Sequence, residues 1–126
     1  MYEILYRVAS EPSFRLLSQL LIKYLPVSLP IKSIWDVCEY HHYLMGILKA
    51  VLRAKEEGHT SLSVIEMGCA GGNGLLVMTK YSKELGKIYG IDIQVYGFDK
   101  GEGMPQLCEG YKDHPNAWSQ GILKWM

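Results

Sequence analysis

The chain has 126 residues, 48% hydrophobic and 21% charged, which is room and composition for one small globular domain with a real core. Its 13 basic and 13 acidic residues cancel, so no cationic surplus draws in nucleic acid or an anionic membrane surface. Cys38, Cys69 and Cys108 are an odd count without metal-ligand spacing, which disfavours a secreted disulfide scaffold and fits a reducing cytosol.

The first residues, MYEILYRVASEPSF, lack the basic head and unbroken apolar block of a targeting signal. Ser10-Glu11-Pro12 opens a predicted helix, with Ser10 as its cap and proline in the first turn. Phe14, Leu17, Leu20, Leu21 and Leu25 recur at helical spacing as one apolar face, and Pro26 stops the run. The stretch from Leu16 to Ile31 is the greasiest, but Gln19, Lys23, Pro26 and Pro30 interrupt it, and it is too short to span a bilayer. The expected location is therefore cytoplasmic. A second helix is predicted from Ser33, with Asp36 completing a capping box, to Gly58. Its inner face is read as Ile34, Val37, Cys38, His41, Met45, Leu48 and Leu52.

Composition changes near residue 67: eleven of the thirteen glycines lie from Gly68 onward. Leu62 to Met67 is short, apolar and β-branched, a buried strand. The turn Gly68-Cys69-Ala70-Gly71-Gly72-Asn73-Gly74 follows, then a helix from Leu75 to Leu85 closed by Gly86, then a strand from Ile93 to Phe98 ending on Asp99. Strand, turn, helix and strand make a βαβ unit, whose crossover is expected to be right-handed. After Asp99 the sequence reads as loop. The expected division is a helical N-terminal extension over 1–60 and a partial Rossmann-like cofactor-binding domain over 61–126.

A glycine turn between strand and helix lets backbone approach a ligand, and the N–H groups opening the helix favour anions. It can equally do no more than join two elements, with Glu66 solvated at its edge. In an open α/β sheet, ligands sit beyond the carboxyl ends of the strands, where Glu66 and Asp99 both fall. Asp99 suits a bidentate hydrogen bond to the ribose hydroxyls of any adenosine cofactor. Glu66 would repel a pyrophosphate but not an ammonium or sulfonium, which favours S-adenosylmethionine over a dinucleotide.

VIEMGCAGGNGLL resembles the first motif of class I S-adenosylmethionine-dependent methyltransferases, and VYGFDKGEGMP resembles their second-strand segment, especially in macrocin O-methyltransferase-like members. The resemblance implies that Glu66, Gly68, Gly71, Gly72 and Gly74 surround the methionine part of the cofactor. It implies that Asp99 holds the ribose and that Gly103, Met104 and Pro105 form the following turn. The glycine turn is longer than the common acid-x-Gly-x-Gly-x-Gly form, and Lys100-Gly101 replaces the small polar and aromatic pair of the close relatives. A complete domain of that superfamily has a seven-stranded sheet, against two strands here. The implied fold class is therefore α/β, N-terminal helices followed by the first βαβ unit of a Rossmann-like methyltransferase sheet that stops short. The implied function is the cofactor-binding N-terminal part of a methyltransferase, inactive alone. Its parent would act on a small-molecule methyl acceptor, and an oligomer or complementing partner would cover the open sheet. No catalytic base is legible. The competing readings are a nicotinamide dinucleotide-binding module and a non-enzymatic interaction protein with a degenerate βαβ unit.

Other residues have plainer readings. His41 and His42, about 100° apart on a helix, are poorly placed to share a metal; one is expected half-buried and the other solvated. His59 and His114 are surface groups. Cys69 is either a reactive thiol at a helix start or a small filler beside the cofactor. Trp35, Tyr40 and Tyr43 are substrate-stacking or half-core residues. Lys80, Lys83, Glu84 and Lys87 form a solvated helix face. Glu102 reaches a ligand or is a solvated loop acid.

Overall fold

The computed structural model describes residues 2–103, a mixed α/β arrangement of helices and a short parallel sheet. In chain order these are α1 (Tyr2–Ser10), α2 (Pro12–Tyr24), α3 (Leu29–Ile34), α4 (His41–Glu56), β1 (Ser61–Met67), α5 (Asn73–Tyr89) and β2 (Asp92–Phe98). Among the described residues the sheet has two strands, paired parallel with Ser61 opposite Asp92 and Met67 opposite Phe98. Parallel pairing needs a crossover, and α5 supplies it. The register puts Glu66 beside Gly97 at the carboxyl ends, and the Gly68 amide donates to the Phe98 carbonyl (2.8 Å), carrying the pairing one residue beyond β1.

The core lies on one side of this sheet. Leu44, Ile47, Val51 and Ala54 of α4 meet Met78, Tyr81 and Leu85 of α5, with Leu29 and Ile91, and the inward strand residues Leu62, Val64, Ile93 and Val95 close it. Strand alternation explains the other side. Ser61, Ser63, Ile65 and Met67 on β1, and Asp92, Gln94, Tyr96 and Phe98 on β2, all face outward and are exposed.

The glycine-rich half follows the predicted order with wider limits: β1 starts at Ser61, β2 at Asp92, and α5 runs to Tyr89, past Gly86. Gly86 does not close the helix. It lies inside it, where a Cβ would stand 2.9 Å from the Ile91 carbonyl oxygen, so its bareness lets the chain fold back toward β2. The cap is Gly90, with φ of 63°, the left-handed conformation that ends helices.

The helical half departs further. Ser10 is not a cap: it ends α1, an unpredicted helix, and Glu11 takes the N-cap position of α2 with Pro12 at its start. The long second helix does not exist as one element. Pro30 helps to open α3 rather than interrupt it, and the chain then turns through residues 35–40 before α4. Asp36 and Tyr40 adopt positive φ (53° and 46°), which no continuous helix permits. Asp36 is not half of a capping box; its carboxylate meets His41 Nδ1 at 2.9 Å. Because α4 starts at His41, residues upstream do not set its phase. Its buried stripe is Leu44, Ile47, Val51 and Ala54, one residue round from the predicted one, and Ile34 and Leu52 are exposed. Phe14, Leu17, Leu20, Leu21 and Leu25 are each half or more exposed. No described helix is long and apolar enough to cross a membrane.

Candidate functional site

The turn between β1 and α5 is built from backbone constraints that account for most of its glycines. Gly68 and Gly72 have φ of 82° and 78°, conformations that a side chain would strain. Gly74 has no room: a Cβ there would collide with Glu66 Oε1 and stand 3.0 Å from the Tyr43 ring and hydroxyl. Gly71 is different. Its φ is not positive, and a Cβ on it would meet nothing within 4 Å. Of the four glycines in the motif, only Gly71 is bare without a reason internal to the fold. Ala70, which is not glycine, nevertheless takes φ of 47°. Such a residue costs roughly 1–2 kcal/mol and needs fixing by its surroundings.

Asp99 supplies that fixing. One carboxylate oxygen accepts the Ala70 amide (2.9 Å) and the other accepts the Gly101 amide (2.6 Å), so this acid ties the glycine turn to the loop after β2. A carboxylate offers about four acceptor positions, so amide contacts do not by themselves exhaust it. Asp99 is exposed at the strand end. Glu66 sits on the adjacent strand and faces the helices. Its Oε1 accepts the Tyr43 hydroxyl at 2.5 Å, while Oε2 is buried with no hydrogen-bond partner among the described residues. Burial without a partner costs about 1–3 kcal/mol or more for a charged group. Hydrogen bonding to Glu66, then burial, pushes the Tyr43 phenol up to about 12, so it remains a donor at neutral pH.

Tyr43 is the residue that periodicity reads as half-core or stacking. It is half-buried, and its ring is stacked on Tyr40 (5.4 Å between centroids, 15° between planes) and met edge-on by His42 (4.4 Å, 64°). Trp35 instead meets Tyr6 edge-on at 5.8 Å. Gly97 is a second residue whose role the sequence alone does not show. A Cβ at Gly97 would stand 2.7 Å from Cys69 Sγ and 2.8 Å from Leu75 Cδ2, so its absence lets the turn and α5 close down on β2. Cys69 is buried there as a filler, its sulfur near the carbonyls of Glu66 (3.6 Å) and Phe98 (3.8 Å). Burial, with Glu66 and Asp99 nearby, pushes its thiol up, the opposite of a reactive thiolate.

His41 is half-buried and His42 exposed. His59 stands 3.5 Å from Glu57, and Glu102 pairs with Lys100 at 2.7 Å, both in exposed positions. Lys80, Lys83 and Lys87 are exposed, with Glu84 half-buried. Among the described residues no group of three or more His, Cys, Asp or Glu is placed to hold a metal. Gly103 is described, with φ of 77°, whereas Met104, Pro105, Cys108 and His114 lie outside the described residues. No protein-family model matches this chain, and neither the curated proteins nor the solved structures contain a match to it.

Proposed function

We propose that the chain binds S-adenosylmethionine across the turn from Gly68 to Gly74 and serves as the cofactor-binding part of a methyltransferase. The observation that carries this reading is the placement of two carboxylates, Glu66 and Asp99, at the carboxyl ends of two paired parallel strands, on either side of a turn with open space at Gly68, Gly71 and Gly72. In such sheets the crevice beyond the strand ends is where ligands sit. The residues present suit this cofactor. A carboxylate at Glu66, at the end of β1 and two residues before the first glycine of the turn, attracts an ammonium group and repels a pyrophosphate. Asp99 is an exposed acceptor for ribose hydroxyls, held in place by the Ala70 and Gly101 amides. The bound cofactor would supply an electrophilic methyl group on its sulfonium. The chain's own part is to orient it, and orientation is a large component of catalysis in bimolecular transfer.

Calorimetry with S-adenosylhomocysteine, S-adenosylmethionine and NAD tests the reading. Binding of the two sulfur nucleosides in preference to NAD is expected, weakened by Gly71→Ala while the melting temperature stays near that of the parent. Preference for NAD, or no nucleoside binding with a stable hetero-complex in its place, would overturn it. The second of these outcomes corresponds to an interaction protein, a reading favoured by the exposed sheet face of Ile65, Met67, Tyr96 and Phe98.

A further inference from the structure

We infer that the outward face of α2 is a helix-pairing surface and that its occupant is a second copy of this chain. This goes beyond the cofactor reading and stands independently of it. The observation is the way α2 is mounted on the fold. Among its described side chains, Ser18, Gln19 and Ile22 are half-buried and the others exposed. Gln19 Nε2 donates to the Trp35 carbonyl (2.9 Å), which fixes this side against the rest of the chain. Two of these three residues are polar. The apolar stripe of Phe14, Leu17, Leu21 and Tyr24 lies elsewhere on the helix, and each of its members is more than half exposed. A surface helix ordinarily turns its apolar stripe to the core. Among the described residues, α2 does the reverse.

Spacing, area and charge identify the occupant. Phe14, Leu17, Leu21 and Tyr24 follow one another in steps of three, four and three residues, the a/d seam with which one helix packs on another. Leu16 and Leu20, also exposed, widen it. Six exposed side chains of this size present roughly 600 Å², the upper limit of the apolar patch on a typical monomer. Tyr2 and Ile4 of α1, which joins α2 through Glu11, bring the apolar surface to the about 800 Å² that each partner of a standard interface buries. The charges of α2 are Arg15 and Lys23, with Glu11 just before it. None lies on the seam, so two copies meet across it without like-charge repulsion. Two basic residues against one acid are too few to hold the helix on an anionic bilayer, which takes a polar face rich in Lys and Arg. An uncharged apolar seam suits an isologous dimer, in which one patch serves both copies, and homodimer interfaces are the more apolar class.

The test is analytical sedimentation of the full chain over a range of concentrations. The parent is expected to pass from monomer to dimer with a dissociation constant in about the micromolar range. Leu17→Glu combined with Leu21→Glu is expected to raise that constant about tenfold or more, whereas Tyr96→Lys on the outer sheet face and Lys80→Glu on α5 leave it unchanged. Amide hydrogen exchange of the parent, which needs no substitution, is expected to slow over α2 between dilute and concentrated protein. A parent that stays monomeric up to about 1 mM overturns the proposal; if it then pellets with phosphatidylcholine–phosphatidylserine vesicles, the occupant is a bilayer. Exchange over α2 that does not respond to concentration also overturns it. A dimer broken by Tyr96→Lys and not by the α2 variant is built on the sheet, which overturns it as well. Loss of helical circular dichroism in the dilute α2 variant, at a concentration where the parent is a folded monomer, shows that the stripe packs within its own chain and overturns it too.

Discussion

Helices α2 and α4 carry similar amphipathic patterns and have opposite fates. Leu44 and Val51 of α4 are fully buried, whereas Leu17 and Leu20 of α2 are 57% and 55% exposed. Both stripes have helical spacing, so the pattern does not separate them. What separates them is whether the described residues include a surface that receives the stripe. For α4 that surface is α5 and the inner face of β1, so its leucines carry stability; for α2, among the described residues, it is chiefly α1, with the bond from Gln19 Nε2 to the Trp35 carbonyl (2.9 Å). Periodicity thus reports a face and not its occupant.

The sharpest way to break this contrast is a pair of truncations. Leu44→Ala should destabilise the chain by about 2–5 kcal/mol, as expected for a buried leucine, while Leu17→Ala should stay within about 0.5 kcal/mol, both read from urea unfolding midpoints. Equal losses at the two sites would show that α2 is packed in solution. Next in size is Gly74→Ala, which forces the Tyr43–Glu66 pair apart and should cost about 1–3 kcal/mol. Gly71→Ala, in open space, should be nearly silent in the same unfolding assay. The pair separates a glycine kept for packing from one that the fold does not need.

A smaller effect is alkaline. Hydrogen bonding to Glu66 lifts the Tyr43 phenol to about 12, and burial, together with the nearby Cys38 and Glu39, lifts Tyr81 to about 12. Tyr81 is buried in the core, and its hydroxyl donates to the Glu39 carbonyl. The folded state therefore favours the neutral phenols. Their contribution is fully present below the unfolded pKa of about 10 and is lost as pH rises through about 12. Thermal melts between pH 9 and pH 12 should show falling stability, and Tyr81→Phe should flatten that fall. An unchanged slope in Tyr81→Phe would place the alkaline sensitivity elsewhere.

The part of the chain from Ser61 to Phe98 was legible because its signals are local. A β-branched run, a cluster of glycines, a helical run and a second apolar strand stand in sequence order and become elements in that order. Gly68 and Gly72 belong to the same local logic, since positive φ is a property of one residue. The error at Gly86 also has a local cause: a glycine inside a helix and one that caps it look alike until the returning strand is placed beside them. In the helical half, Pro30 reads as a breaker in sequence and acts as a helix opener in the structure, because proline suits the first turn. The predicted start at Ser33 missed α3, and the turn through residues 35–40, with positive φ at Asp36 and Tyr40, rotated the inner face of α4 away from the predicted one.

Local information along the chain suffices for the order strand, glycine turn, helix, strand and for Glu66 and Asp99 at strand ends, because backbone conformation and side-chain alternation depend on neighbours along the chain. Which apolar stripes are covered, why Gly74 and Gly97 are bare, and which residue grips Glu66 emerge from the folded packing. Those depend on contacts between distant segments, as between Tyr43 and Glu66 or Gly97 and Cys69, and pairings of that kind leave no periodic trace in a single sequence.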